Sequence, residues 1–164
     1  MIYKIGYIKD SLGNNYLGIK FNEGLMETHL KDLYDIIGNN DMFETLISNQ
    51  ARRDRREGSE HTHHITILSV MEYNKLMKSN PNDFQERINT IQSLNIEDIE
   101  FKGVGKAERG GNTAYFVVVE SPTLEEIRTS LGLEPRDFHI TLGFDKKDVF
   151  GVRKNQVIKK KLDS

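Results

Sequence analysis

The tripeptide His-Ile-Thr occurs twice, at 64–66 within "HHITIL" and at 139–141 within "FHITLGF", about half a chain apart. Each copy lies in a short apolar run with β-branched residues, which reads as a strand. Side chains alternate faces along a strand. His64 and Thr66 therefore share one face, with Ile65 and Ile67 on the other. In the second copy His139 and Thr141 share a face, opposite Ile140 and Leu142. Each strand anchors in an apolar core and presents one imidazole and one hydroxyl together. One such strand is commonplace. Two of them, each flanked by apolar residues, suggest one shared site built by strands from two lobes.

The segments around these strands supply the layers behind them. Residues 2–9 and 16–21 alternate around a Gly-Asn-Asn turn, as a hairpin does. Helical spacing runs through 26–50, with Leu30, Leu33 and Ile37 on one face, a break at Gly38-Asn39-Asn40, and Phe43, Leu46 and Ile47 on a second face. "ARRDRREGSE" reads as a polar helix end running into a loop. After the strand "HITILSV", Pro81 opens a helix carrying Phe84, Ile88, Ile91 and Leu94. Residues 99–108 and 113–120 are strands joined through "RGGN". Ser121 and Pro122 start a helix that turns Leu124, Ile127 and Leu131 inward, and Gly132 closes it. Strands and helices interspersed, with hairpins in both halves, predict an α+β fold of antiparallel sheets backed by helices. We expect one two-lobed domain over 1–164, long enough to bury a core.

Two facing imidazoles make an acid–base pair. An unperturbed histidine titrates near about 6.5, so one ring can be neutral while the other is protonated. The neutral ring takes a proton from a nucleophile, and the protonated ring gives one to a leaving group. The threonine hydroxyls can donate hydrogen bonds to a charged oxygen between them. This set suits in-line displacement at a phosphodiester and calls for no cofactor or metal.

On "HITI" (64–67) and "HITL" (139–142) the chain resembles the 2H phosphoesterase superfamily, named for two His-h-Thr/Ser-h motifs in which h is hydrophobic. The phrases "HHITILSVMEY", "LGLEPRDFHITLGF" and "DVFGVRK" are similar to its Swiss-army-knife RNA-repair-like group, over about residues 60–155. The resemblance implies two α+β lobes around a central cleft, each lending one motif strand. It also implies metal-independent cleavage of 2′,3′-cyclic phosphates or related nucleotide and RNA phosphodiesters. His64 and His139 would be the acid–base pair, with Thr66 and Thr141 as ligands of the phosphate oxygens. Phe150 stands where the related group carries a histidine.

Other residues are weighed against plainer roles. Arg52, Arg53, Arg55 and Arg56 form a candidate clamp for a polyanion, since arginine matches phosphate bidentately; the alternative is a solvated helix end. Lys106 and Arg109 flank the "RGGN" turn and are candidates to line the cleft. Tyr115 and Tyr73 are candidates to stack on a base, or packing residues. His61 and His63 lie on the opposite parity from His64 and are read as a solvated start of the strand rather than a metal pair. "GVGKAERGG" lacks the context of a phosphate-binding loop.

A net charge of −2 provides no global attraction for nucleic acid. The absence of cysteine excludes disulfides and thiolate metal sites. The alternating N-terminus lacks a signal peptide's apolar core, and no segment reaches transmembrane length. We therefore expect a cytoplasmic protein acting on a nucleotide or RNA end, with no membrane and no stable protein partner. Two alternatives keep the same fold: a nucleotide- or RNA-binding module without turnover, and a phosphodiesterase that degrades cyclic oligonucleotide messengers. A third is a metal hydrolase built on His61 and His63.

Overall fold

The computed structural model describes residues 1–56 and 63–158; of the side chains at 23 and 54–56 nothing is described. Among the described residues, six antiparallel strands form one sheet: β1 (Gly6–Lys9), β2 (Asn15–Phe21), β3 (His63–Leu68), β4 (Glu100–Arg109), β5 (Asn112–Glu120) and β6 (His139–Phe144). Their spatial order is β1-β2-β3-β6-β5-β4. The sheet is thus two three-stranded halves, each placing a His-Ile-Thr strand at its inner edge. The halves meet at one registered pair, Ile65↔Ile140. Five helices accompany the described strands: α1 (Glu23–Ile37), α2 (Asn40–Arg56), α3 (Val70–Ser79), α4 (Pro81–Ser93) and α5 (Pro122–Ser130). The fold is α+β, as the sequence predicts. None of the described helices is long and apolar enough to cross a membrane.

Local chemistry sets most of the boundaries. The β4–β5 hairpin turns at Gly110 and Gly111, with φ of 60° and 79°. Two successive left-handed residues match the twist of a hairpin, and glycine adopts them without strain. Ser121 caps α5 by accepting from the Leu124 N–H. One helix departs from expectation. The sequence reading carries the strand through Val70, yet β3 ends at Leu68 and Ser69 begins α3. Ser69 accepts from Glu72 N–H while the Glu72 side chain accepts from Ser69 N–H. This reciprocal capping box satisfies two orphan donors and ends the strand.

The sheet's two faces are unlike. One carries Ile19, Ile65, Ile67, Val117, Val119, Ile140 and Leu142, and all five helices add buried residues to it, among them Leu33, Leu46, Tyr73, Ile88 and Leu124. Ile65 and Ile140 are 0% exposed. Burying each contributes about 1.5–3 kcal/mol. A slip of one residue in either strand would exchange these isoleucines for histidine or threonine, so the apolar layer fixes which face the motifs present. The opposite face carries the two motifs and a small apolar cluster of Ala107, Ala114, Phe116, Val118, Phe144 and Val149.

The C-terminal end of β6 is shaped by α2. The β5–β6 register shifts between Tyr115 and Phe116, so that Tyr115 pairs with Gly143 and Phe116 with Thr141. The shift turns Gly143 toward α2, where a Cβ would stand 2.8 Å from the Leu46 carbonyl oxygen. Glycine permits that approach. Asn49 of α2 donates to the carbonyls of Phe144 and Asp145 at 3.0 and 2.8 Å. The helix that ends in arginines is thereby held against the end of the second motif strand.

Candidate active site

Continuing the Ile65↔Ile140 register by one residue each way sets His64 opposite Thr141 and Thr66 opposite His139. The four side chains form a two-by-two block on one face, with like residues on the diagonals. A phosphate placed over the block would have an imidazole on each side and a hydroxyl on each of the other two. The Thr66 hydroxyl has no protein partner among the described residues, whereas Thr141 Oγ1 donates to Asp148 Oδ2 at 3.4 Å.

The tautomer of His139 follows from its neighbours. Its Nδ1 lies 2.8 Å from the Asp137 carbonyl oxygen. A carbonyl only accepts, so Nδ1 bears the proton and Nε2 keeps a lone pair. Nε2 lies 3.4 Å from Lys154 Nζ, a donor. The ring packs edge-on against Phe116, with centroids 5.7 Å apart. Lys154 is 5% exposed. Its ammonium is 3.5 Å from Asp148 Oδ1 and rests near the rings of Phe116 and Phe150, at 5.8 and 5.6 Å. Burial first, and then the Lys154 charge, push His139 down to about 4.

His64 is held differently. Its Nε2 lies 3.3 Å from the Tyr16 hydroxyl, and the two rings meet edge to face at 6.0 Å. Burial, followed by the nearby charges of Arg53, His139 and His63, lowers it to about 3. The protein's own groups therefore keep both rings neutral near pH 7, where the sequence reading expects one to be protonated. A phosphodiester anion set between them would oppose the surrounding cations and raise both.

Asp148 ties the cations together. Its Oδ2 accepts from Arg53 Nη1 at 2.6 Å, and its Oδ1 accepts from the Val149 N–H at 2.8 Å. Burial pushes this carboxyl up, but Lys154 and Arg53 outweigh burial and hold it below the usual carboxylate range. Arg53 also lies over the Phe144 ring, 5.4 Å from its centroid. The site thus has Arg53 beside His64, Lys154 beside His139, and one buried carboxylate between the two cations. Replacing Lys154 with Met should raise the His139 pKa from about 4, although burial will still hold it below its ordinary value. Titration of the imidazole by NMR checks this; an unmoved pKa would mean that the ammonium does not act on the ring.

A family model described as Swiss Army Knife, 2H phosphoesterase domain matches residues 30–150. That span holds both motif strands, four of the five helices in full and part of α1. The chain belongs to the 2H phosphoesterases. No curated protein and no solved structure matches it. The match begins within α1, well before the stretch over which the motif phrases resemble the family. Members are in general hydrolytic phosphoesterases, and the domain supports a phosphodiesterase-type activity.

Within this 2H phosphoesterase the candidate residues fall into three groups. His64, Thr66, His139 and Thr141 come together, with Arg53 beside them. Arg52 is exposed and bonds Asn49 of its own helix. The side chains of Arg55 and Arg56 lie outside the described structure, as do His61 and Glu60. Lys106 and Tyr115 pair across β4 and β5 and lie on the opposite sheet face from Phe116 and the motifs, so the structure does not bring them to the cleft. Lys106 instead pairs with Glu108 at 2.7 Å. Strand alternation decides this: the residue beside Phe116 must point the other way.

Arg109 reaches the cleft's edge indirectly, donating from Nη1 to the Phe150 carbonyl at 2.9 Å and so bracing the 150–151 turn. Tyr73 is buried against Phe84 as a packing residue. His63 is buried as well, not solvated, because α1 and α2 cover its side of β3. Burial lowers it to about 4.

No sequence pattern singles out Tyr16, Asp148 or Lys154, which the fold brings to the histidines and Arg53. Lys154 closes the phrase "DVFGVRK" but looks there like one more cation of a basic tail. Only the fold returns that tail to His139.

Proposed function

We propose that this 2H phosphoesterase is a metal-independent phosphodiesterase acting on a 2′,3′-cyclic phosphate, or on a related nucleotide or RNA phosphodiester, by paired-histidine acid–base catalysis. The observation that carries this reading is the pairing of the two motif strands at Ile65↔Ile140, with His139 protonated on Nδ1 and so keeping a lone pair on Nε2. In hydrolysis, a water oxygen attacks phosphorus and its proton passes to His139 Nε2. The bond from phosphorus to one ribose oxygen breaks, and His64, protonated once the anion is bound, gives its proton to that oxygen. Thr66 and Thr141 donate to the non-bridging oxygens. Arg53 and Lys154 oppose the charge that builds on them.

The test is turnover of a panel of nucleoside 2′,3′-cyclic phosphates, RNA ends and cyclic oligonucleotides, in the presence of EDTA, with the products mapped. Expected is chelator-resistant hydrolysis of at least one cyclic phosphate. Activity lost in EDTA and restored by zinc or manganese would point to the metal reading instead. Tight binding with no turnover would point to the binding module.

The pH profile is a second check. The two limbs of the kcat/KM bell report the unbound histidines, lowered to about 3 and about 4. The limbs of kcat report the complex, in which the bound anion raises both. The kcat profile should therefore lie at higher pH than that of kcat/KM. Coincident limbs would mean that the substrate anion does not sit between the rings.

A further inference from the structure

Three residues before His139 stands a cation that the mechanism above does not use. Arg136 is half-buried, and its Nε is fully shielded with no hydrogen-bond partner. Among the described residues its side chain makes no hydrogen bond and no ion pair. The nearby carboxylates are already engaged. Glu72 accepts two hydrogen bonds from Arg128, at 2.9 and 2.7 Å. Asp137 accepts two from Arg153, at 2.7 and 3.0 Å. The Glu134 carbonyl is also taken up by Arg128. The remaining charged and titratable neighbours are Tyr16, His139 and Lys154.

A desolvated guanidinium without a partner is costly, because burial removes water and nothing replaces it. Arginine is moreover always charged and cannot escape by losing its proton. Its position gives the cost a purpose. Arg136 lines a cleft of about 310 Å³ together with His139, Phe150, Val152 and Lys154. Phe150 is 72% exposed at its rim. Its guanidinium, a planar fork of N–H donors with no acceptor among the described residues, thus belongs to the wall of the cleft that His139 also lines.

We propose that Arg136 is an anion-binding residue of this cleft, and that its ligand is a phosphate of the substrate. The proposal rests on the proposed function only in placing a phosphate beside His139. The phosphate has two possible sources: the scissile group itself, or the next phosphate along a nucleotide chain.

The experiment pairs binding with stability. Inorganic phosphate and a nucleoside 3′-monophosphate are titrated calorimetrically into wild type, Arg136→Met and Arg136→Lys. Hydrogen bonds from a charged donor should make the Met variant bind about ten- to a hundredfold more weakly. The Lys variant should fall between, since it keeps the charge and loses the fork. Without any phosphate, the Tm of Arg136→Met should equal or exceed that of wild type, because an unpaired buried charge has been removed. Unchanged binding overturns the proposal. So does a Tm several degrees lower in the Met variant, which would mean that the guanidinium serves the fold.

Two substrates separate the sources: a nucleoside 2′,3′-cyclic phosphate, and a dinucleotide that ends in one. An equal rise in KM for both assigns Arg136 to the scissile phosphate. A rise for the dinucleotide alone assigns it to the neighbouring one. If wild type hydrolyses neither substrate, the catalytic reading fails and the binding titrations still decide the role of Arg136.

Discussion

His64→Ala and His139→Ala should each slow single-turnover cleavage by about 10²–10⁴-fold, the usual size of a general acid or base contribution. That is about 2.7–5.5 kcal/mol of barrier. The double variant should lose far less than the product of the two, because an acid without its base gains little. Removing either imidazole also removes half of a proton circuit, so each single variant should lose one limb of the bell-shaped pH profile. His61→Ala should leave the rate within a small factor of wild type. His63 is a poorer control than its sequence position suggests. It is buried on the far face of the same strand, and truncating it disturbs packing beneath α2. Near-normal turnover by His64→Ala would end the paired-histidine mechanism.

How far the sequence reveals this site depends on the range of each interaction. The motif strands are legible because a period of two carries the whole argument: apolar residues on one parity, imidazole and hydroxyl on the other. The α5 helix is legible because Ser121, Pro122 and Gly132 mark its ends. The α3 helix was also marked, by Ser69 and Glu72, but the apolar run before it reads on as strand. Lys106 and Tyr115 show the opposite failure. They sit near the right hairpin, yet the pairing of β5 with β6 decides which of Tyr115 and Phe116 faces the histidines, and no local pattern states that register. Asp148, Lys154 and Arg136 belong to loops around β6. Their proximity to Arg53 or His139 is purely tertiary, so charge composition alone gives them the look of solvated surface.

A second large effect lies behind the site, at Arg128. The residue is 3% exposed, near the C-terminal end of α5. It donates to the Ile67 carbonyl of β3 at 2.7 Å and to both carboxylate oxygens of Glu72 in α3. One guanidinium thus joins the C-terminal half of the sheet's helical backing to the strand that carries His64. Arg128→Met would leave the Glu72 carboxylate and two carbonyls without their donor. Breaking one partner of a buried pair costs about 3–5 kcal/mol. For a domain of this size that is a fall in Tm of about 6–20 °C.

The loss should also depend on pH, with a definite sign. Burial pushes the Glu72 carboxyl up, but the Arg128 and Ser69 hydrogen bonds outweigh burial and lower it to about 2. A carboxyl lowered by folding contributes stability above its unfolded value, and the contribution is lost as pH falls toward the folded one. The gap in Tm between wild type and Arg128→Met should therefore be full near neutral pH and shrink as the pH drops from about 4.5 toward 2. Replacing Glu72 as well should restore part of the loss, because the stranded carboxylate is then gone. Calorimetry of the three variants across that range tests the pair. A gap that stays constant with pH would show that Arg128 works through the carbonyls of Ile67 and Glu134 alone. Arg136, eight residues further along the chain, should respond in the opposite sense, since its charge has no such partner to strand.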